Sequence, residues 1–215
     1  MRIFGLLLAV VVWASAHQFW FQAGEGTVEL HYGHLDPDAG EKREVGYALE
    51  QAVAIGCPLP ETKSYPLAFP VECKAVYVSF AGSYWSKTLS GTKPLARDEA
   101  EHPLKSWISH ESVKLSGKAE IQPLSSGLEL VNETGVVPEG EKMHLRLFKE
   151  GKPAAGAAVA INGKVRGTTG EDGRINLRVR EAGIQRIEAT LRLPGDGVKA
   201  DEAVWTTTLM TGAME

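Results

Sequence analysis

The sequence has little excess charge of either sign. Its formal net charge is −4 at pH 7, and loss of Arg2 with the N-terminal segment described below would take that charge to −5. Nucleic acids and anionic membrane surfaces attract proteins with clustered lysine and arginine. A mildly acidic chain therefore predicts neither of these partners.

The sequence also lacks the local patterns that most often mark an enzyme. Ser86 and Ser90 lie in no Gly-x-Ser-x-Gly setting, and Gly91-Thr92-Lys93 is too short for a phosphate-binding loop. No paired-carboxylate geometry can be inferred from the sequence. We therefore predict a protein that is not an enzyme and has no catalytic residues.

Cysteine is scarce, with only Cys57 and Cys73 in the chain. Their spacing contains no Cys-x-x-Cys pattern, which argues against a redox or metal-binding pair. In an exported protein such a pair most simply forms a disulfide, which would stabilise the fold by about 3 kcal/mol in the chain-entropy model. We predict that it staples the proline-rich loop from Pro58 to Pro70.

Long apolar runs are absent except at the start of the chain. Residues 1–16 have the layout of a secretory signal: Arg2, an apolar run from Leu6 to Trp13, and the small residues Ala14-Ser15-Ala16. The run is too short to span a bilayer, which needs about 20 apolar residues. We predict a periplasmic protein that loses residues 1–16 and has no stable membrane insertion.

Cleavage after Ala16 would make His17 the first residue of the mature protein. Its α-amine has an ordinary pKa of about 7.7 and its imidazole one of about 6.5, so both can be deprotonated near neutrality. Together they would form a bidentate nitrogen chelate. Nitrogen donors of this kind suit nickel, cobalt, copper and zinc.

A second histidine follows close behind in the chain. The aromatic segment Phe19–Phe21 and the alternating segment Thr27–Tyr32 are separated by a few residues with two glycines, which predicts a hairpin. Such a hairpin would bring His17 beside the far end of the second strand, where His34 is the best placed partner and His31 the second. In the alternative interpretation, His31 is a solvated strand residue and His34 only caps a loop.

Glycine and proline are abundant, at 23 and 11 residues, and short alternating segments favour β structure. We predict a strand over residues 75–80, a glycine turn at Gly82 that presents Tyr84 and Trp85, and a short helix or irregular crossover from Asp98 to Leu115. His102 is expected in a surface loop. His110 and Glu111 are further candidates for completing a metal site, after His34 and His31.

The chain divides into two predicted domains, residues 17–131 and residues 132–215. The first ends with a strand over residues 128–131, and the segment from Asn132 to Gly140 has few large apolar residues, as is typical of a domain boundary. Beyond it, Met143, Leu145 and Leu147 alternate with polar residues. The Asn162-Gly163 and Asp172-Gly173 turns predict a small antiparallel sandwich, with His144 on its solvated side.

These residues together resemble a known family. The resemblance rests on the following segments: Ala16-His17-Gln18-Phe19-Trp20, Leu30-His31-Tyr32-Gly33-His34, Gly82-Ser83-Tyr84-Trp85-Ser86-Lys87-Thr88, Gly91-Thr92-Lys93, Ser106-Trp107, Glu111-Ser112-Val113, Gly127-Leu128-Glu129-Leu130-Val131, Gly151-Lys152-Pro153, Arg166-Gly167-Thr168-Thr169 and Asp172-Gly173-Arg174-Ile175-Asn176-Leu177. The set resembles the bacterial periplasmic proteins labelled as nickel uptake, substrate-specific region. The C-terminal part also resembles transthyretin-like or carboxypeptidase-regulatory β-sandwiches.

The resemblance implies an all-β protein of two tandem β-sandwich (Ig-like or transthyretin-like) modules that handles nickel or cobalt in support of an uptake system. Its partners would be an inner-membrane metal transporter or an outer-membrane receptor. The N-terminal histidine of the family falls on His17, and its Tyr-Gly-His turn falls on residues 32–34. The chain departs from the family after His34, where Leu35-Asp36-Pro37-Asp38-Ala39-Gly40 replaces a histidine-rich stretch. Carboxylates are harder donors than imidazole, so the identity of the metal stays open.

Two other functions remain open at this point. A histidine brace on a β-sandwich is also how oxidative polysaccharide-cleaving monooxygenases hold copper, so a copper carrier or copper enzyme is one alternative. A metal-free periplasmic interaction or adhesion module is the other.

Overall fold

The structure is a computed structural model, and it describes residues 18–35, 42–44, 46–61, 63–73 and 75–212. Its regular elements are almost entirely strands, which confirms the predicted all-β fold class. The strands are β1 (Gln18–Ala23), β2 (Thr27–Leu35), β3 (Lys42–Glu44), β4 (Val53–Ile55), β5 (Leu67–Pro70), β6 (Ala75–Thr88), β7 (Gly91–Lys93), β8 (Lys105–Ser116), β9 (Leu128–Asn132), β10 (Lys142–Lys149), β11 (Lys152–Pro153), β12 (Ala158–Ile161), β13 (Lys164–Thr168), β14 (Arg174–Arg178), β15 (Gln185–Pro194) and β16 (Glu202–Thr211). A 3₁₀ turn at Leu49–Gln51 is the one helical element among the described residues.

An eight-stranded sheet forms the centre of the fold. Its strand order is β13-β12-β15-β16-β8-β6-β4, and β7 pairs with β6. β16 runs parallel to β8, whereas the other neighbours in this sheet are antiparallel. A sheet of β1, β2, β3 and β5 and a sheet of β9, β10, β11 and β14 complete the architecture.

The central sheet has a hydrophobic core on each of its faces. Successive side chains on a strand point to opposite faces, and the neighbours Leu209 and Met210 in β16 accordingly belong to different cores. Leu209 packs with residues of β9, β10 and β14. Met210 packs with residues of β1, β2 and β5, and its sulfur accepts a hydrogen bond from the backbone N–H of Phe21 at 2.9 Å.

Several predicted features are confirmed. β1 and β2 form the antiparallel hairpin, with Phe21 opposite Leu30. Cys57 and Cys73 form the disulfide. The strand over residues 128–131 is present as part of β9, and Met143, Leu145 and Leu147 are buried on one face of β10 while His144 is exposed.

Two local predictions are wrong. The segment at Gly82 is not a turn: β6 continues through it, with an irregularity in its pairing to β8 between Phe80 and Ser83. Most of the segment predicted as a helix or crossover is β8, a strand of 12 residues. Both strands are held by long-range pairing to each other, which local propensity does not encode.

The predicted domain boundary lies at the end of β9, between residues 131 and 132. Strands from both sides of it share sheets, because β16 pairs with β8 over nine consecutive positions and β10 pairs with β9. The division into two domains therefore stays a prediction, and the pairing predicts that the two halves depend on each other for stability.

Candidate metal centre

The predicted metal site lies at the open end of the β1–β2 hairpin. Gln18 is paired with Gly33 at this end of the hairpin. The residue before Gln18 in the sequence is His17, which lies outside the described residues. The next residue on the second strand is His34, whose backbone continues β2 and pairs with Arg43 of β3. The hairpin itself is the one that the sequence predicted, while the placement of His17 beside His34 stays a prediction.

His31 lies elsewhere in the hairpin. It is paired with Trp20, and the two rings stack at 5.6 Å between centroids with an angle of 13°. Only 5% of His31 and 3% of Trp20 is exposed. The interpretation of His31 as a solvated strand residue is therefore wrong.

The contacts of His31 are those of a packed side chain. Its Nε2 lies 3.3 Å from Oε2 of Glu29, and the Tyr65 ring meets it edge-on at 6.2 Å. The imidazole is thus held between an indole, a phenol and a carboxylate. A buried histidine in contact with aromatic rings and an acid is adequately explained by packing.

The opposite face of the hairpin carries an aromatic cluster that meets the central sheet. Phe19 is paired with Tyr32, with ring centroids 4.3 Å apart, and Phe19 stacks on Phe80 of β6 at 4.5 Å and 8°. Tyr47 closes the cluster, and its hydroxyl donates a hydrogen bond to the carbonyl of Leu30 at 2.9 Å. This packing holds the hairpin against the central sheet.

Glu111 of β8 faces this cluster. The hydroxyl of Tyr32 forms a hydrogen bond with the Glu111 carboxyl, and burial together with the nearby Glu111 charge raises the pKa of Tyr32. Burial is the largest cause that raises the pKa of Glu111 to about 7, and the like charge of Glu188 adds to it, while hydrogen bonds from Tyr32 and Ser109 act against it. Glu111 is thus a carboxyl that changes its protonation state near neutral pH.

His110, the neighbour of Glu111, lies on the other face of the central sheet. Its ring stacks on Trp205 of β16 at 3.8 Å and 12°, and Nζ of Lys149 lies 4.3 Å from the centre of the Trp205 ring. Burial, with a smaller contribution from Lys149, lowers the pKa of His110. The side chains of the two neighbours thus have different contacts, since His110 packs on Trp205 and Glu111 contacts Tyr32.

A pocket of about 300 Å³ lies beside His110 and Trp205. Its lining includes residues of β4, β6 and β8 and the serines just before β9. Among the lining residues are Val53, Ile55, Ser79, His110, Glu111 and Ser125.

The other two histidines behave as predicted. His102 lies in an exposed loop, and His144 is exposed on the outer side of β10. Within the part of the chain that the structure describes, no three histidine, cysteine, aspartate or glutamate side chains are grouped so that they could hold a metal ion. His17 lies outside that part.

Sequence reasoning missed the contact between Tyr32 and Glu111, which joins the hairpin to the central sheet. The sequence carries no clear signal for it, because β8 lacks the polar and apolar alternation of a half-buried strand. Polar residues of β8 such as Ser112 and Lys114 are themselves buried.

No helix among the described residues is long and apolar enough to cross a membrane. Comparisons with protein-family models, with curated proteins and with solved structures found no match to this chain.

Proposed function

We propose that the chain is an exported accessory protein that captures a divalent transition metal, nickel or cobalt, and supports its uptake by a membrane transporter. The ion would be bound by the α-amine and imidazole of His17 together with the imidazole of His34. The observation that carries the proposal is the register of the hairpin, in which Gln18 is paired with Gly33. His17 precedes Gln18 and His34 follows Gly33 in the sequence.

The disulfide supports the proposed compartment. Disulfides persist in oxidising environments such as the bacterial periplasm and are rare in the cytosol. Cys57 and Cys73 are joined in the structure. Export with removal of residues 1–16 is what would give His17 the free amine that the chelate requires.

The proposed donors define a pH dependence. Both nitrogens of His17 must lose their protons before they can bind a cation, and imidazole has an ordinary pKa of about 6.5. We expect nickel affinity to be nearly constant above neutrality and to fall steeply below about pH 6.5. Titrations at a series of pH values measure this directly.

The assignment of nickel or cobalt rests on the family resemblance and on the donor set. Amine and imidazole nitrogens bind nickel, cobalt, copper and zinc, and copper is the strongest of these in affinity. Delivery to a transporter therefore depends on which metal the compartment supplies as well as on intrinsic affinity. A transporter or receptor partner is part of the proposal and follows from the resemblance alone.

Isothermal titration of the mature protein with nickel, cobalt, copper and zinc tests the proposal. The protein begins at His17, with its N-terminus verified by intact mass. We expect one ion per chain, with binding lost in His17→Ala and strongly weakened in His34→Ala. His144→Ala is the matched control, because that histidine is exposed on β10. No binding of any of the four ions by the mature protein would refute the proposed function.

A further inference from the structure

The pocket beside His110 and Trp205 lies between one face of the central sheet and the chain just before β9. A row of paired residues crosses this part of the sheet: Val53 of β4 is opposite Ser79 of β6, and Ser79 is opposite Ser112 of β8. Directly paired residues on neighbouring strands point to the same face. His110 shares that face, because it is two residues before Ser112 on the same strand. The sheet therefore contributes an apolar residue, two hydroxyls and an imidazole to one cavity.

Residues 125–128 form the opposite wall of the pocket. The carbonyl of Leu128 accepts a hydrogen bond from the Tyr77 hydroxyl at 3.3 Å and another from the Ser112 hydroxyl at 3.1 Å. A hydroxyl that has donated its proton keeps lone pairs and can only accept further hydrogen bonds. A ligand that meets the oxygen of Tyr77 or Ser112 must therefore donate hydrogen bonds to it.

Ser125 places a further hydroxyl in this wall. It acts on the phenol of Tyr77, yet its buried oxygen makes no hydrogen bond of ordinary length and angle with a described residue. Buried polar atoms are nearly always paired with protein, water or a ligand. Because Ser125 lines the pocket, a bound ligand can supply the missing partner.

The described lining residues offer a ligand no free charge. Burial, with a smaller contribution from Lys149, lowers the pKa of His110, so its imidazole is neutral near pH 7. Glu111 also lines the pocket, but its carboxyl is hydrogen-bonded to Tyr32 and Ser109. A charged ligand would bury its charge here without a counter-charge, which is unfavourable. The pocket therefore suits an uncharged ligand.

The pocket also presents apolar surface and has a limited size. Val53 is 55% exposed and Ile55 is 37% exposed, and both line the pocket. Its volume of about 300 Å³ is at the lower end of the range for ligand sites, which suits a ligand of one ring. The matching ligand has several hydrogen-bond donors on one side and an apolar side for the two β4 residues.

We propose that this pocket binds a single neutral sugar unit, whose hydroxyls donate hydrogen bonds to Tyr77, Ser112 and Ser125 and whose C–H face packs on Val53 and Ile55. A neutral sugar ring combines several hydroxyl donors with an apolar C–H face and carries no charge. The inference goes beyond the proposed function, because the pocket shares no residue with the proposed chelate of His17 and His34.

Ligand-observed NMR titrations of the mature protein test the inference. The probes are glucose, galactose and N-acetylglucosamine, with glucuronate as the charged comparison. We expect at least one of the three neutral sugars to bind with a dissociation constant of about 1 mM, as is usual for so small a ligand. Glucuronate should bind about tenfold or more weakly than the best neutral sugar, because its carboxylate finds no counter-charge.

Three serine-to-leucine variants locate the bound sugar. Ser79→Leu and Ser126→Leu each fill part of the pocket, one from the sheet and one from the opposite wall. Ser83→Leu is the matched control, because Ser83 is an exposed residue of β6 outside the pocket lining. We expect the first two substitutions to weaken sugar binding by about tenfold or more and the control to stay within about threefold of wild type.

The outcomes decide the inference independently of the proposed function, which the nickel titrations test. Circular dichroism establishes that each variant is folded before it is titrated. Binding of none of the three neutral sugars by the wild type, as for a pocket that holds water only, overturns the inference. Wild-type affinity in a folded Ser79→Leu or Ser126→Leu variant also overturns it, as does a glucuronate affinity equal to that of the best neutral sugar.

Discussion

Glu111 carries the most informative single-residue prediction for the metal-free protein. Its pKa is about 7 in the folded state against an ordinary value of 4.5. Between these values the folded state binds more protons than the unfolded state, so the stabilising contribution of Glu111 is fully present below pH 4.5 and is lost as pH rises through about 7.

The substitution Glu111→Gln replaces the ionisable carboxyl with a neutral amide, so the loss of stability with rising pH should disappear. The variant should match the wild type in free energy of unfolding near pH 4 and exceed it by about 2 to 3 kcal/mol at pH 8.5, as one pKa unit corresponds to about 1.4 kcal/mol. Chemical denaturation at both pH values in the presence of a chelator measures the difference. A constant difference between variant and wild type across this range would contradict the raised pKa.

A buried ion cluster supplies a second prediction at the scale of residues. Lys114 is fully buried, and its Nζ forms an ion pair with Glu120 and another with Glu129, 2.6 Å from Oε1. Glu129 also accepts hydrogen bonds from the backbone N–H groups of Leu124 and Ser125. The cluster thereby fixes the loop between β8 and β9.

Removal of the lysine leaves two carboxylates without their cation. We expect Lys114→Met to lower the free energy of unfolding by about 3 to 5 kcal/mol. Lys105→Met is the control: Lys105 is half-exposed and paired with Glu202, so its loss should cost no more than about 1 kcal/mol. Equal effects of the two substitutions, measured by urea denaturation, would contradict a structural role for the buried cluster.

At the scale of elements, the disulfide joins the central sheet to the sheet that contains the β1–β2 hairpin. Cys57 follows β4, which belongs to the central sheet, and Cys73 follows β5, which pairs with β2 of the hairpin. The covalent link therefore limits how far the hairpin can separate from the central sheet in the unfolded chain.

Cys57→Ser with Cys73→Ser should lower the free energy of unfolding by about 3 kcal/mol, the value expected for a closed loop of this length. Equilibrium denaturation of the double variant and of the wild type, with and without reductant, measures it. Reductant should destabilise the wild type and leave the double variant unchanged. An unchanged wild type under full reduction would contradict the stabilising role of the bond.

The sequence predicts some elements much better than others, for physical reasons. β2 and β10 show the polar and apolar alternation that is typical of a strand. β8 does not show it: Ser112 and Lys114 are buried on one face, and Glu111 faces the other core. Their burial depends on partners distant in sequence, such as Glu129 and Tyr32, which no local pattern reveals.

The same contrast between local patterns and partners distant in sequence applies to the candidate site. The pairing of the two strands that lead to His17 and His34 is a local property, and the sequence predicts it. The contact of Tyr32 with Glu111 requires the relative placement of two sheets, so only the structure reveals it. The placement of His31 against Trp20 depends on which face of the hairpin is buried, and here both faces are.

At the scale of the whole molecule, the central sheet predicts cooperative unfolding. β16, near the C-terminus, lies between β15 and β8, so the two predicted domains share a sheet and hydrogen bonds. Scanning calorimetry of the mature protein should show one transition, with equal calorimetric and van't Hoff enthalpies. Two separate transitions would show that residues 17–131 and 132–215 are independent domains.

The proposed function makes metal affinity depend on the removal of residues 1–16. The proposed chelate requires the free amine of His17, so the unprocessed protein and the mature protein should differ in metal affinity. Acetylation of His17 turns the amine into an amide with no free amine elsewhere at that end of the chain.

The most direct test compares the mature protein with the same protein acetylated at the α-amine of His17, each verified by intact mass and titrated with nickel at pH 7.5. Acetylation leaves every imidazole in place and removes the free amine. We expect tight one-to-one binding by the mature protein and a loss of that binding in the acetylated protein. Equal affinity of the two proteins would contradict the chelate at His17.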